Sequence, residues 1–596
     1  MKETDQKLDI LLAKAGQLNT YQFQVTILFL IQLTCSEFFN QCLPFLERTP
    51  YVFVNDSKES VLINYKICKN KNNIYILDEN KIPNSIVMDF DIYCKESRIV
   101  FLGLMIYLGM IIGSCSSFLF ADKIGRKKTL IIFVPIQIIF LCTFSILKPS
   151  LGNYCLTLVY INTFLLGICS HIIIITMIIY ICEIIKQTNI PIFVILILTG
   201  VPLSNLLGTL LFNIKYLDWR YVLLIIAGID LIIYLFIVFK LVGSPIFSLN
   251  NELFETFVFD LIELGKKNGI KLSLIDFDFL NPYMTRESRQ TIYNKFMKEI
   301  NEINTNLIIN KDTDSNTNSN KEEDYLSSNK ETSSKTALKD DYLLSSDVNL
   351  LKLFGKLKMK DYSPIDLIRY EKQTKNFLIL SFLWLVTMVI KCGTNLQSKK
   401  IQKMNEEIYW SVIEYLCEIV SYFLMLILYV KLNIEFHASL IMLQIISFMI
   451  FMIILYLDLT EYEFHEIILL YSGRLCWSCV FALLSVITAI IYPIMIRTKG
   501  LGWNKSFGFI GAIISIIIIE FMEIKHALSI FLILEFFTMT LSYGLPKKIG
   551  TFILESPNDI QEQKDKLKKK QKELIEKNSL DNSDFSNISD SIFIEK

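Results

Sequence analysis

The chain has 596 residues, 52% of them hydrophobic, and a mean hydropathy of +0.44, too apolar for a water-soluble protein of this length. Its 59 basic residues balance 59 acidic ones, so no net positive charge points to nucleic acid, and the charges must gather in loops, a linker and tails. Four scattered histidines show no zinc spacing and no nucleophile–base set appears, which argues against a metal centre, a cofactor or an enzyme.

Residues 1–21 are charged and amphipathic without a cleavable apolar core, and read as a cytosolic segment ahead of an uncleaved signal anchor. Apolar runs long enough to cross a bilayer follow at roughly 22–42, 98–120, 129–147, 155–183, 190–212, 220–242, 376–396, 408–430, 438–457, 466–491, 501–521 and 526–545. They are too long, and alternate too little, for a β-barrel. The pattern predicts an all-α polytopic membrane protein of twelve transmembrane helices in two six-helix lobes, 22–243 and 376–545, embedded in a lipid bilayer. A polar loop at 51–97 follows the first span on the outer face. It carries Cys68 and Cys94, which an oxidising compartment would join as a disulfide and a reducing one would leave as free thiols. It also carries the glycosylation sequon Asn55-Asp56-Ser57. The segment 244–375 links the lobes, and its centre, about 301–347, is too poor in apolar residues to fold. A tail at 546–596 includes a Lys/Glu-rich stretch from Gln561 to Lys577 suited to a solvated helix.

The turn Asp122-Lys123-Ile124-Gly125-Arg126-Lys127-Lys128 lies between the second and third runs. Its four cations place it on the cytosolic face, since cytosolic loops accumulate Lys and Arg. An even number of spans then puts both termini in the cytosol. Lys399, Lys400 and Lys403 dissent, because they fall on the outer face. The plasma membrane is the expected location, with an intracellular vesicle membrane second.

Charges inside the spans are the best pointers to a substrate path, because even low estimates put a central charge at about 2.5–3.5 kcal/mol. Glu414 and Glu418 are four residues apart in the eighth run and share one helical face. Glu414 lies nearer the outer mouth, where water would reach it. Lys391 lies deep in the seventh run. A Lys391–Glu418 pair would be exchanged for substrate charge on one reading, and would be a buried structural ion pair on the other. His171 in the fourth run could gate a proton, but a lone histidine on an apolar helix is more often a packing residue. Glu520 and Glu535 receive no role.

The turn at Asp122, Gly125, Arg126 and Lys127 resembles the loop between spans two and three of the major facilitator superfamily, with Phe118 in place of that motif's first glycine. Ser85-Ile86-Val87-Met88-Asp89-Phe90-Asp91-Ile92-Tyr93-Cys94 is similar to the end of the large outer loop in that superfamily's organic cation and anion transporters, the solute carrier family 22 type. Further similarities follow in order: Leu8 to Leu11 with Gly16, Asp218-Trp219-Arg220, Ser244-Pro245, Lys267-Asn268-Gly269, Trp384, Glu418-Ile419 with Tyr422, Tyr492-Pro493, Arg497, Gly500 and Gly502. The departures are Thr163, Gly243, Ile246 and Ile490, each where the family has a charge, and Lys431-Leu432-Asn433 in place of a second Gly-Arg-Arg turn. Phe509 stands where span eleven often has Arg in anion carriers or Asp in cation carriers.

The resemblance implies a two-lobed carrier of a small organic ion that works by alternating access, driven by a coupling ion or an exchanged substrate. It implies that Asp122 faces the start of span eleven around Gly500 and Arg497. Arg126 and Lys127 would meet carboxylates such as Glu183, making the turn an interlobe latch. Charges that merely set topology would need no Asp or Gly at fixed spacing. Spans one, four, seven, eight and eleven would line the site, with Glu418, Lys391, Glu414, His171 and Phe509 as candidates. A sugar carrier, and a carrier fold retained as a sensor or scaffold subunit, are the alternatives.

Overall fold

The protein is seen here as a computed structural model. It describes residues 11–16, 19–272, 290–291 and 364–546, less short stretches within 55–82 and at 152–153, 215–216, 252, 271, 370, 402–403, 433–435, 458–462 and 523. Asn55, the linker centre at 301–347 and the tail stretch at 561–577 lie outside the described residues.

Twelve long helices stand among the described residues, matching the expected spans in order. They are α1 (Thr20–Leu46), α2 (Glu96–Ile124), α3 (Arg126–Ile146), α4 (Cys155–Ile184), α5 (Ile190–Phe212), α6 (Trp219–Lys240), α7 (Glu371–Ile401), α8 (Met404–Leu432), α9 (Phe436–Leu457), α10 (Glu463–Ile491), α11 (Ile494–Phe521) and α12 (Ile524–Ser542). Eleven have the length and composition to cross a membrane, and α8, with 29 residues, is also long enough. The chain is an all-α polytopic membrane protein of two six-helix lobes. The helices differ in burial. The apolar window of α4 is 83% buried and that of α10 is 78%, so α4 and α10 run through the middle of the bundle.

Local chemistry sets the helix ends. Asp218 caps α6, its side chain accepting from the Arg220 amide at 2.9 Å. In α5 the regular turns break at Thr199, three residues before Pro202, which has no amide hydrogen to continue the ladder. Gly125 joins α2 to α3 at φ 99°. A side chain there would be strained and would also meet the Phe247 ring.

One boundary differs from expectation. Span eleven begins at Ile494, not near 501, and only Tyr492-Pro493 separates it from α10. Pro493 sits at the N-cap, where its missing amide hydrogen costs no helix bond. Arg497 and Lys499, expected in a loop, therefore lie in the first two turns of α11, and both are buried.

The polar loop after α1 forms a small antiparallel sheet that the sequence pattern did not signal. Strands β1 (Tyr51–Val54), β2 (Val61–Leu62) and β3 (Tyr75–Leu77) lie in the order β2-β1-β3, with Val52 opposite Val61 and Leu77. Cys68 and Cys94 are joined as a disulfide, Cα atoms 5.7 Å apart. A short helix, Ile86–Asp89, is capped by Ser85. Asp89 accepts from Trp219 Nε1 at 2.7 Å and from Arg220 Nη1 at 2.6 Å, so the loop's end is pinned to the start of α6.

Candidate functional site

At the turn end of the bundle, Arg126 gathers the polar groups. Its Nη2 lies 3.1 Å from Asp122 Oδ1 and 2.7 Å from Glu183 Oε1, and its Nη1 donates to the Ala121 carbonyl at 2.9 Å. Ser244 Oγ donates to Glu183 Oε2 at 2.5 Å, and the Phe247 ring covers the guanidinium at 4.9 Å. Asp122 also reaches the other lobe, where Thr498 Oγ1 donates to its Oδ1 at 2.8 Å. Lys499 Nζ stands 5.6 Å from the Phe118 ring, across the same boundary.

The expected partners of this network need correction. Asp122 meets Thr498 rather than Gly500 or Arg497. Gly500 is fitted against its own neighbour instead, since a Cβ there would collide with the Tyr492 ring. Arg497 is buried and donates to the Tyr492 carbonyl at 3.4 Å. Its charge is felt at Glu183, but it forms no ion pair within 4 Å among the described residues. Lys127 does not join Glu183. Its charge is felt instead at Asp260, on the helix Phe254–Lys267. Burial pushes the Asp260 carboxyl up, more than the Ser248 hydrogen bond at 2.7 Å and the Lys127 charge lower it. A Cβ at Gly243 would strike this carboxylate. Asp260 thus supplies a carboxylate beside a position where the resembling family carries its own acid.

Midway along the bundle, charged side chains pair within the second lobe, among α7, α8 and α10. Lys391 Nζ on α7 lies 3.1 Å from Glu418 Oε1 on α8 and 4.5 Å from the Phe481 ring centre. Tyr422 OH approaches the same Glu418 oxygen at 3.5 Å. Glu414 is not hydrated as expected: it is 5% exposed and paired with Arg474 of α10. One turn of α8 separates the two acids, so they share the face of α8 that meets α7 and α10. Arg474 also donates to Asn395 Oδ1 at 3.1 Å.

His171 does not stand alone. Its Nε2 lies 3.2 Å from Glu37 Oε1 on α1, and its ring packs edge-on against Phe509 of the other lobe, centroids 4.3 Å apart. Tyr107 of α2 packs on the same phenylalanine at 6.5 Å and lies near the Cys392 thiol of α7. Lys505, one turn before Phe509, completes the group, with Nζ 5.7 Å from the Trp384 ring centre. Glu37, Arg474 and Lys505 were missed by the sequence reading. Each is a charge within an apolar run, the same signal that singled out Glu418 and Lys391. Among the described residues no cluster of His, Cys, Asp and Glu could hold a metal ion.

No family model matches the chain, and no curated protein matches it. Solved structures do. One is the proton:xylose symporter XylE of the major facilitator superfamily bound to 6-bromo-6-deoxy-D-glucose, at TM-score 0.54 and 12% identity, covering 91% of this chain and 99% of that one. Another is the xylose transporter XylE from E. coli in a partially occluded inward open conformation, at TM-score 0.53 and 11% identity, covering 89% and 99%. The chain therefore has the fold of the major facilitator superfamily transporters.

Proposed function

We propose that the protein is a secondary transporter of small organic ions, working by alternating access between its two lobes. The observation that carries this reading is the set of opposed charges paired among the helices inside each lobe: Lys391 with Glu418 and Glu414 with Arg474 in the second, and Glu37 with His171 in the first. Buried ion pairs are costly to keep for stability alone, and intramembrane charges mark substrate and ion routes. Glu418 and Lys391 are the substrate-facing pair in this reading, with His171 and Phe509 closing the site from opposite lobes. The Asp122–Thr498 contact joins the lobes at the turn end in one state and parts in the other. The turn, the interlobe linker and both termini lie in the cytosol, on the positive-inside argument, and the plasma membrane is the expected site.

A sugar carrier is the second reading, favoured by the likeness to xylose transporter structures. Uptake into proteoliposomes over labelled organic cations, organic anions and sugars separates the two. Ion flux that Glu418→Gln lowers at least tenfold supports the proposal. Flux of sugar alone supports the alternative, and ligand binding without flux marks a sensor. Ion flux untouched by Glu418→Gln overturns the site assignment.

A further inference from the structure

Resting on that reading, we infer that Lys505 anchors the acidic group of an organic anion, and that each anion bound draws one proton from solution onto the Glu37–His171 pair. The starting observation is a mismatch in the charge pairing of the second lobe. Lys391 and Arg474 each have a carboxylate in contact. Lys505 is 3% exposed, yet it has no carboxylate within 4 Å among the described residues. Its neighbours are the Trp384 ring at 5.7 Å and the more distant charge of Glu37.

Glu37 is not free to serve as that contact. Its Oε2 accepts from Asn40 Nδ2 at 2.8 Å and Gln41 Nε2 at 3.2 Å, and its Oε1 faces His171 Nε2. Gln41 is held in turn by Asn205 Nδ2 of α5, donating to its Oε1 at 3.0 Å. The carboxylate is fixed on its own side, and the ammonium stands apart. An ammonium on a side chain only 3% exposed, with no carboxylate in contact, is costly to keep charged, and an incoming carboxylate, sulfonate or phosphate supplies what it lacks. The Trp384–Phe481 edge-to-face pair, 5.4 Å between centroids, lies beside both Lys505 and Lys391. It offers an apolar wall for the body of such an anion.

The proton follows from charge balance. His171 on α4 is in contact with Glu37, whose charge is also felt at Tyr107 on α2 and Lys505 on α11, with Glu47 on its own helix felt at Tyr107. With His171 neutral, Glu37 and Lys505 cancel. An anion at Lys505 leaves one negative charge in excess in a poorly solvated place, and a proton on the Glu37–His171 pair restores neutrality. Both imidazole nitrogens are buried without a hydrogen-bond partner, and Nε2 stands 3.2 Å from Glu37 Oε1, so a proton taken up between ring and carboxylate closes a hydrogen bond that is now unmade.

Purified protein in weakly buffered detergent with a pH indicator provides the test, and needs no flux. The probes are benzoate, succinate and benzenesulfonate as anions, tetraethylammonium as a cation and xylose as a neutral solute. At least one anion is expected to bind with uptake of about one proton. Lys505→Gln weakens it by about thirtyfold or more, and Lys505→Arg restores it. Glu37→Gln binds the anion without proton uptake. Thermal stability of each variant shows that it is folded. Anion binding unchanged in a folded Lys505→Gln, or anion binding without proton uptake by the unaltered chain, overturns the inference. Binding confined to tetraethylammonium overturns it while leaving an organic-ion carrier standing. Binding confined to xylose, or none with any probe, removes the organic-ion reading as well.

Discussion

Arg126 holds two carboxylates from different helices, and its loss would leave Glu183 buried with only the Ser244 hydroxyl in contact. Breaking one partner of such a pair costs about 3–5 kcal/mol. Arg126→Met should therefore lower the thermal stability of the purified protein by that order. Adding Glu183→Gln should recover part of the loss, since it removes the stranded charge. A double-mutant cycle reads the coupling, and equal, additive losses would mean that the two groups do not act as a pair. At this scale the sequence was a partial guide. Lys391 and Glu418 could be matched because their helices are consecutive. Glu414 was misjudged because its partner, Arg474, comes two helices later, and a pairing of that kind depends on packing that one-dimensional spacing does not carry. Glu37 and Lys505 are 468 positions apart by their numbers. Their charges stood out in apolar runs, but their nearness belongs to the docking of one lobe on the other.

The helix Phe254–Lys267 is amphipathic, with Phe257, Val258, Leu261 and Leu264 buried against the lobe. Asp260 lies on the edge of that face, and burial raises its carboxyl above the ordinary range. The sign of the consequence is fixed by linkage. Below about pH 4 both folded and unfolded chains keep the proton, and the group contributes nothing to the pH dependence. As pH rises past that value the unfolded chain ionises first, so folded stability falls until the folded carboxyl has ionised too. Asp260→Asn cannot ionise. Its melting temperature should fall less between pH 4 and 7 than that of the unaltered chain, and parallel curves would exclude Asp260 as the source. The existence of the spans was legible from apolar run length, whereas the start of α11 was not. Pro493 was read as the start of a loop, but a proline at an N-cap can open the next helix at once, and the cations after it looked like loop charges only because their buried setting could not be seen.

The two lobes approach most closely where α2 meets α11 near the turn. Gly502 lies so near the Ser114 backbone that a Cβ would strike its carbonyl. Cys115 Sγ and Ser506 Oγ are 3.0 Å apart, and Thr498 and Lys499 reach Asp122 and Phe118. Further along, the contact passes to rings, Phe509 against His171 and Tyr107. Close backbone approach at small residues is how helices associate without a hydrophobic drive. A bulky residue at 502 should therefore act on the balance between lobe arrangements as a whole. Gly502→Leu would wedge the helices apart at a cost of about 1–3 kcal/mol to the closed form, which shifts a two-state balance by about fivefold or more. Cys115 reports on that opening from inside the contact. Its labelling by a maleimide, followed by mass spectrometry of the peptide that contains it, should speed up by that factor in Gly502→Leu. Labelling of Cys169, buried within the first lobe, should stay as slow as in the unaltered chain. A rise at both sites would signal general loosening of the fold, and a rise at neither would mean that the Gly502 contact does not hold the turn end shut.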